Sequence, residues 1–152
     1  MLPITDVRVK TVTKYGSKFR GFELSTPSES TSVYALIEDF QSCCETYGFC
    51  ITVENEESVK QSEICCHNSS GVDRGELDEL RRVLVGQHIL NVGWGKISTE
   101  SRTDPQTNSV EVCVQTVSDW NIRLTLFNTH NGYYAHDTIV KWDGLQDDTN
   151  AL

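Results

Sequence analysis

Apolar residues recur at short, regular intervals through most of the chain, and the interval is that of a strand more often than of a helix. In ITDVRVKTVT (4–13) Ile4, Val7, Val9 and Val12 are set among polar residues, and the YGSK that follows contains a glycine suited to a turn. FRGFELST (19–26) alternates in part, which predicts a hairpin with the first segment. After the loop-like TPSEST, SVYALIEDF (32–40) resumes with β-branched and aromatic residues as a third strand. HILNVGWGKIS (88–98), SVEVCVQTV (109–117), IRLTLFN (122–128) and DTIVKWD (137–143) read as strands as well, with SDWN a turn between the second and third of these.

Two stretches break this rhythm. Residues 54–74 are poor in apolar periodicity and rich in Ser, Asn and Glu, so they are expected to form an inserted surface excursion with room for a short helix. GELDELRRVLVGQ (75–87) instead spaces Leu77, Leu80, Val83 and Leu84 for one face of a helix, with acids in its first turn, basic residues later and a stop at Gly86. The expectation is an α+β fold: a mainly antiparallel sheet of about seven strands with one clear helix (75–86). It forms a single domain over 1–144, with 145–152 a flexible C-terminal tail. No βαβ unit is suggested, so dinucleotide-fold logic does not apply.

Composition narrows the function. A chain of 152 residues with 38% hydrophobic content can bury a core as one domain. It has no apolar run of membrane-spanning length, and MLPITDVRVK lacks the apolar centre of a signal peptide, so a cytoplasmic protein is expected, without a membrane partner. A net charge of −9 with no Lys/Arg cluster argues against duplex nucleic acid, although one or two arginines in a pocket suffice for a small anion. Of the six cysteines, Cys43–Cys44 and Cys65–Cys66 are adjacent pairs and Cys113 alternates with valines. That placement favours reduced thiols, and no C-x2-C spacing supports zinc.

The chemically dense stretch is LFNTHNGYYAH (126–136), with two histidines, two asparagines and two tyrosines. Asn131-Gly132 supplies a tight turn, which accounts for part of it. The remaining side chains suit a ligand platform, with rings to stack a base and donors and acceptors beside them. A thiolate–imidazole pair from Cys43 or Cys44 with His130 or His136 is conceivable, as is a metal site from His130 and His136 with Asp137 or Glu45. No established spacing supports either, and no phosphate-cradling loop, GxSxG elbow or HExxH helix is present. No catalytic residue, metal or cofactor is assigned.

SCCETYGF (42–49), LVGQHIL (84–90) and LFNTHNGYYAHDTIVKW (126–142) together resemble a domain family common in phages and prophages. That family pairs an SCCE-x-[YF]-G element, a Leu/Ile-x-Gly-x-x-Ile/Leu helix exit and an N-x-HNGYYGH element in this order. Ala135 stands where the family prefers glycine, and residues 54–74 look like an insertion. The pattern is also similar to the Thoeris anti-defence sponges, small phage proteins that sequester a cyclic ADP-ribose signal. The resemblance implies a non-catalytic homo-oligomer that binds a nucleotide-derived messenger. Such a ligand needs stacking rings, hydroxyl-reading groups and a fixed cation. Tyr133, Tyr134 and Phe19 are the candidates to stack; Asn128, His130 and Asn131 to read hydroxyls; Arg20 and Arg123 to meet phosphate. Glu45 would cap a turn or order the histidines, His136 among them, and Cys43–Cys44 would serve as small packing groups. Arg123 as a solvated strand residue and Arg20 as a surface charge beside a turn are the plainer readings.

Overall fold

The Tyr15–Gly16 pair takes φ of 54° and 77°, the two positive values a two-residue hairpin turn requires, and so joins β2 (Asp6–Lys14) to β3 (Ser17–Ser25) in the expected hairpin. These belong to a computed structural model that describes residues 2–40, 45–55, 58–95, 98–99, 106–130, 135–148 and 151–152. The other strands are β1 (Leu2–Pro3), β4 (Val33–Glu38), β5 (Thr46–Asn55), β6 (Ser58–His67), β7 (His88–Trp94), β8 (Ser98–Thr99), β9 (Gln106–Thr116), β10 (Trp120–His130), β11 (Thr138–Trp142) and β12 (Leu145–Asp147). Helix α1 spans Arg74–Leu84. The fold is α+β and mainly antiparallel. Among the described residues there are twelve strands rather than about seven, in a seven-stranded sheet ordered β1-β7-β9-β10-β5-β6, with β8 also on β9, and a five-stranded sheet ordered β12-β11-β4-β3-β2.

The two sheets face each other across one apolar core. Tyr47, Phe49, Ile51 and Val53 of β5 and Ile122, Leu124 and Leu126 of β10 point inward against Phe22 and Leu24 of β3 and Val33, Ala35 and Ile37 of β4. Phe22 and Phe49 meet edge to face at 5.1 Å. Helix α1 packs against β2 and β6 and adds Leu77, Leu80 and Leu84. Asp73 caps it by accepting from the Glu76 amide at 3.0 Å, and Gly86 at φ 95° lies just past its end. No helix of the described residues is long and apolar enough to cross a membrane. The five-stranded sheet also curls around a smaller apolar cluster on its other face, Phe19, Leu36 and Ile139 under Val12 and Tyr34. Lys14 and Tyr15 close that curl by binding Asp148 at 3.1 and 2.7 Å.

Three expectations are corrected. The excursion at 54–74 is instead the second half of a β5–β6 hairpin followed by the start of α1. β6 lies at the sheet edge and buries only one face, through Ile64 and Cys66, so the strand carries too few apolar residues to stand out. The cysteines are not all reduced: Cys50 and Cys65 sit directly opposite across β5–β6 with Cα atoms 4.1 Å apart and form a disulfide, while Cys66 and Cys113 are free thiols. The pairing is a property of register, which the cysteine spacing alone does not reveal. The tail is not loose either. Gly144 at φ 86° turns the chain into β12, Ala151 bridges Asp137, and Leu152 is buried, exchanging both backbone hydrogen bonds with His136 at 2.8 Å.

The disulfide spans a sequence separation of 15, for which closing the loop in the unfolded chain is worth about 3 kcal/mol. Reductant should therefore lower the thermal midpoint by about 6–12 °C. A Cys50→Ser/Cys65→Ser variant should melt at the reduced value and ignore reductant, and equal midpoints for the native chain with and without reductant would rule the bridge out as a stabiliser.

Candidate functional site

Glu45 immediately precedes β5 and His136 lies two residues before β11, so each sits where a strand of a different sheet begins. Their side chains meet at 2.9 Å, Nε2 to Oε1, with neither exposed to solvent. The other ring nitrogen, Nδ1, lies 2.7 Å from the Glu38 carbonyl oxygen at the end of β4. A carbonyl only accepts, so Nδ1 carries a hydrogen and donates it, while Nε2 is engaged with the Glu45 carboxyl. Phe40 stacks on one side of the imidazole at 4.3 Å and 8° between planes, and Tyr47 stacks at 4.4 Å and 27°.

Tyr47 extends this arrangement outward. Its hydroxyl donates to Asp39 Oδ1 at 2.7 Å and lies 3.1 Å from the Ser69 hydroxyl. Asp39 also accepts from Ser69 at 3.2 Å and faces Lys18 at 3.4 Å and Arg20 at 3.7 Å. Burial pushes the Asp39 carboxyl up, but the Tyr47 hydroxyl, the Arg20 charge, Lys18 and Ser69 outweigh it and hold the carboxyl below its ordinary value. For Tyr47 burial leads in the other direction: it raises the phenol to about 12 against the Ser69 hydrogen bond, with the Asp39 carboxylate adding to the rise. Arg20 is held as well by donating to the Ser70 carbonyl at 3.1 Å and by lying 5.5 Å over the Phe49 ring.

Gly48 is needed for close approach. A Cβ there would stand 1.9 Å from the Cys66 carbonyl oxygen and 2.9 Å from Phe127 Cζ, because β6 and the Phe127 ring close over it. Beside it, Asn68 at φ 55° accepts from the Tyr47 amide at 3.1 Å and donates its own amide to the Tyr47 carbonyl at 2.7 Å. Glu45, Tyr47 and Gly48 of SCCETYG thus each touch an element outside their own strand, and Glu45 and Tyr47 both touch His136 of HNGYYAH. The two halves of the sequence signature meet in space.

The remaining candidates are distributed unevenly. Asn128 is fully buried and donates through Nδ2 to the Leu152 carbonyl at 2.9 Å, so it binds the chain's own end rather than facing outward. Phe19 is 2% exposed inside the curled face of the five-stranded sheet and offers no ring for stacking. It also points to the opposite face from its neighbour Arg20, since side chains alternate along a strand. Arg123 pairs with Glu54 on the outer face of the seven-stranded sheet, five residues along β10 from Asn128 and so roughly 17 Å from it. The backbone of His130 pairs with Gln106 at the end of β10. Asn131, Tyr133, Tyr134, Cys43 and Cys44 lie outside the described residues. Sequence reasoning missed Asp39, Phe40, Tyr47 and Ser69 as members of the site. Tyr47 carried a signal, as the aromatic position of the SCCE element.

Chemically the arrangement is closed. Both nitrogens of His136 are engaged, so neither is free to take a proton from a thiol or a substrate, or to ligate a metal. Among the described residues no group of three or more His, Cys, Asp or Glu side chains is placed to hold a metal ion. What the pair does do is fix the chain beside two segments: 41–44 is flanked by Phe40 and Glu45, which both contact His136, and 131–134 is followed two residues later by His136 itself.

Breaking the pair leaves a buried polar group without its partner. Glu45→Ala and His136→Ala should each cost about 3–5 kcal/mol in urea unfolding, and the double variant should cost clearly less than the sum. Additive losses would mean that the two side chains act independently. For Asp39 the folded carboxyl titrates below its ordinary value of 3.8. Its contribution is therefore present above that pH and is lost as pH falls through the folded value. Asp39→Asn should flatten the acid limb of the stability profile, and an unchanged limb would remove Asp39 from this account.

No family model, curated protein or solved structure matches this chain.

Proposed function

We propose that this chain is a non-catalytic binding protein, phage-encoded and acting in the host cytoplasm, that captures a nucleotide-derived immune signal of the cyclic ADP-ribose type, as a homo-oligomer. One observation carries the reading: the buried Glu45–His136 pair joins the SCCE element to the HNGYYAH element while leaving His136 no free nitrogen. An enzyme that used His136 as its base or metal ligand would need that nitrogen. A binding protein needs the reverse, a rigid base from which short polar and aromatic segments reach a ligand with little entropy left to lose.

The surroundings of the pair suit an anionic ligand. Lys18 and Arg20 share Asp39, and the Lys18 side chain remains 55% exposed, so its ammonium can meet a phosphate without leaving the protein surface. Asn131, Tyr133 and Tyr134 follow β10 in sequence, and supply the rings and amides that an adenine and its riboses require. Within this proposal Glu45, Asn128 and His136 support the site rather than touch the ligand, and Phe19 and Arg123 take no part.

The test is to incubate the purified protein in lysate that contains a cyclic ADP-ribose-type signal, wash it, denature it and weigh what is released. An intact nucleotide derivative is the expected product. Tyr133→Ala/Tyr134→Ala should release at least about tenfold less while melting as the parent does. A chemically altered nucleotide would make the protein an enzyme, and an empty protein that leaves the signal in the lysate would end the proposal.

A further inference from the structure

A concave site lies at the far end of the same strands. Between α1 and the inner side of β5–β6 is a cavity of about 480 Å³, bordered at the β9–β10 turn by Trp120. That volume is within the range of small-molecule sites. Its apolar lining is Val53, Ile64 and Leu80, all buried, with Val83, which remains 37% exposed although it shares a helix face with Leu80. An aliphatic side chain left open beside a Trp ring is surface that a ligand's apolar body can cover.

Among the described residues the charged groups that line this cavity are all acidic. Glu76 and Glu79 stand one turn before Leu80 and Val83 on the same face of α1. Glu79 is engaged by Arg82 at 2.7 Å, but both side chains are about three-quarters exposed (73% and 74%), a setting in which an ion pair holds its partners weakly. The Glu76 carboxylate has no partner among the described residues. Glu63 also borders the cavity, with its carboxylate taken up by Thr52 at 3.2 Å. An anion brought here would face the Glu76 and Glu79 carboxylates, whereas a cation gains their charge beside the Trp120 side chain that borders the cavity.

We infer that this cavity binds an organic ammonium ion with an apolar body, the ring or alkyl chain over Val53, Ile64, Leu80 and Val83 and the ammonium between Trp120 and the Glu76/Glu79 carboxylates. It is distinct from the anion site proposed above and does not depend on it. The charge complementarity of the two helix carboxylates selects the occupant, and the apolar floor selects its shape.

Titration of the intact protein with 2-phenylethylammonium chloride, followed by calorimetry and by indole fluorescence, tests this directly. Saturable binding is expected, at least about tenfold tighter than that of the neutral isostere 2-phenylethanol, with no binding of 3-phenylpropionate. Glu76→Gln/Glu79→Gln changes only helix-surface carboxylates and should keep the parent's melting curve while bringing the ammonium down to the affinity of the alcohol. Equal affinity for ammonium and alcohol in the parent would reduce the site to a greasy crevice. No saturation of the ammonium up to about 10 mM would overturn the inference altogether. Should the double variant fail to fold, the comparison of the three probes on the parent decides the matter by itself.

Discussion

A carboxylate and an imidazole 2.9 Å apart with no exposure to water hold the two sheets of this protein in register at one end. Glu45 leads into β5 of the larger sheet; His136 leads toward β11 of the smaller, and its second nitrogen is tied to the end of β4. Removing such groups from water is costly, and the cost is offset only when each hydrogen-bonding direction is met. Here the imidazole is met at both nitrogens and on both ring faces, by Glu45, Glu38, Phe40 and Tyr47. Glu38 and Phe40 come from the sheet of His136 itself and Glu45 and Tyr47 from the other, so a sliding of one sheet relative to the other would break the latter two contacts together. The pair therefore acts less as a source of stability than as a condition on which packing is allowed.

That condition spreads along the strands. Tyr47 stands opposite Asn128 on the β5–β10 ladder, and both point inward, one to His136 and the other to the Leu152 carbonyl. A slip of either strand by one residue would turn its own member of this pair to the outer face. Gly48 enforces the same register from the other side, because only a residue without Cβ fits under Phe127 and against the Cys66 carbonyl. The tyrosine hydroxyl then orders Asp39 and, through it, Lys18 and Arg20. Cations that would otherwise wave in solvent are placed at a defined edge of the molecule by a chain of contacts that begins in the core.

How much of this the sequence carries depends on how many faces an element buries. β9 and β10 bury one face with regular alternation and pair over ten residues, so their pattern is plain in the primary structure. β6 buries its inner face with few residues and reads as loop, although its pairing with β5 is continuous from Gly48 to Glu54. The disulfide was illegible for a related reason, since the register that sets Cys65 opposite Cys50 follows from the hairpin and not from cysteine spacing. At the site, Glu45 and His136 were both identifiable by motif, but 91 residues separate them and only the fold makes them partners. Phe19 and Arg20 illustrate the opposite error. Adjacent strand residues point to opposite faces, so they could not both line one pocket, and that parity was available from the alternation itself.

The overall charge of −9 is a poor guide to what such a molecule can bind, because the fold separates its charges. Trp120 and the Glu76/Glu79 carboxylates border one end of the β5–β10 ladder, and Asn128 and Tyr47 lie at the other, eight residues along β10. At the rise of an antiparallel strand that is roughly 27 Å, more than three times the distance of about 8 Å over which physiological salt screens a charge. A phosphate near Lys18 and Arg20 would hardly feel the helix carboxylates, nor an ammonium beside Trp120 the arginine. An acidic protein can in this way offer a local anion site and a local cation site at once, provided that its interior is stiff enough to keep them apart. The buried pair at one end and the cross-strand disulfide midway along β5 supply that stiffness.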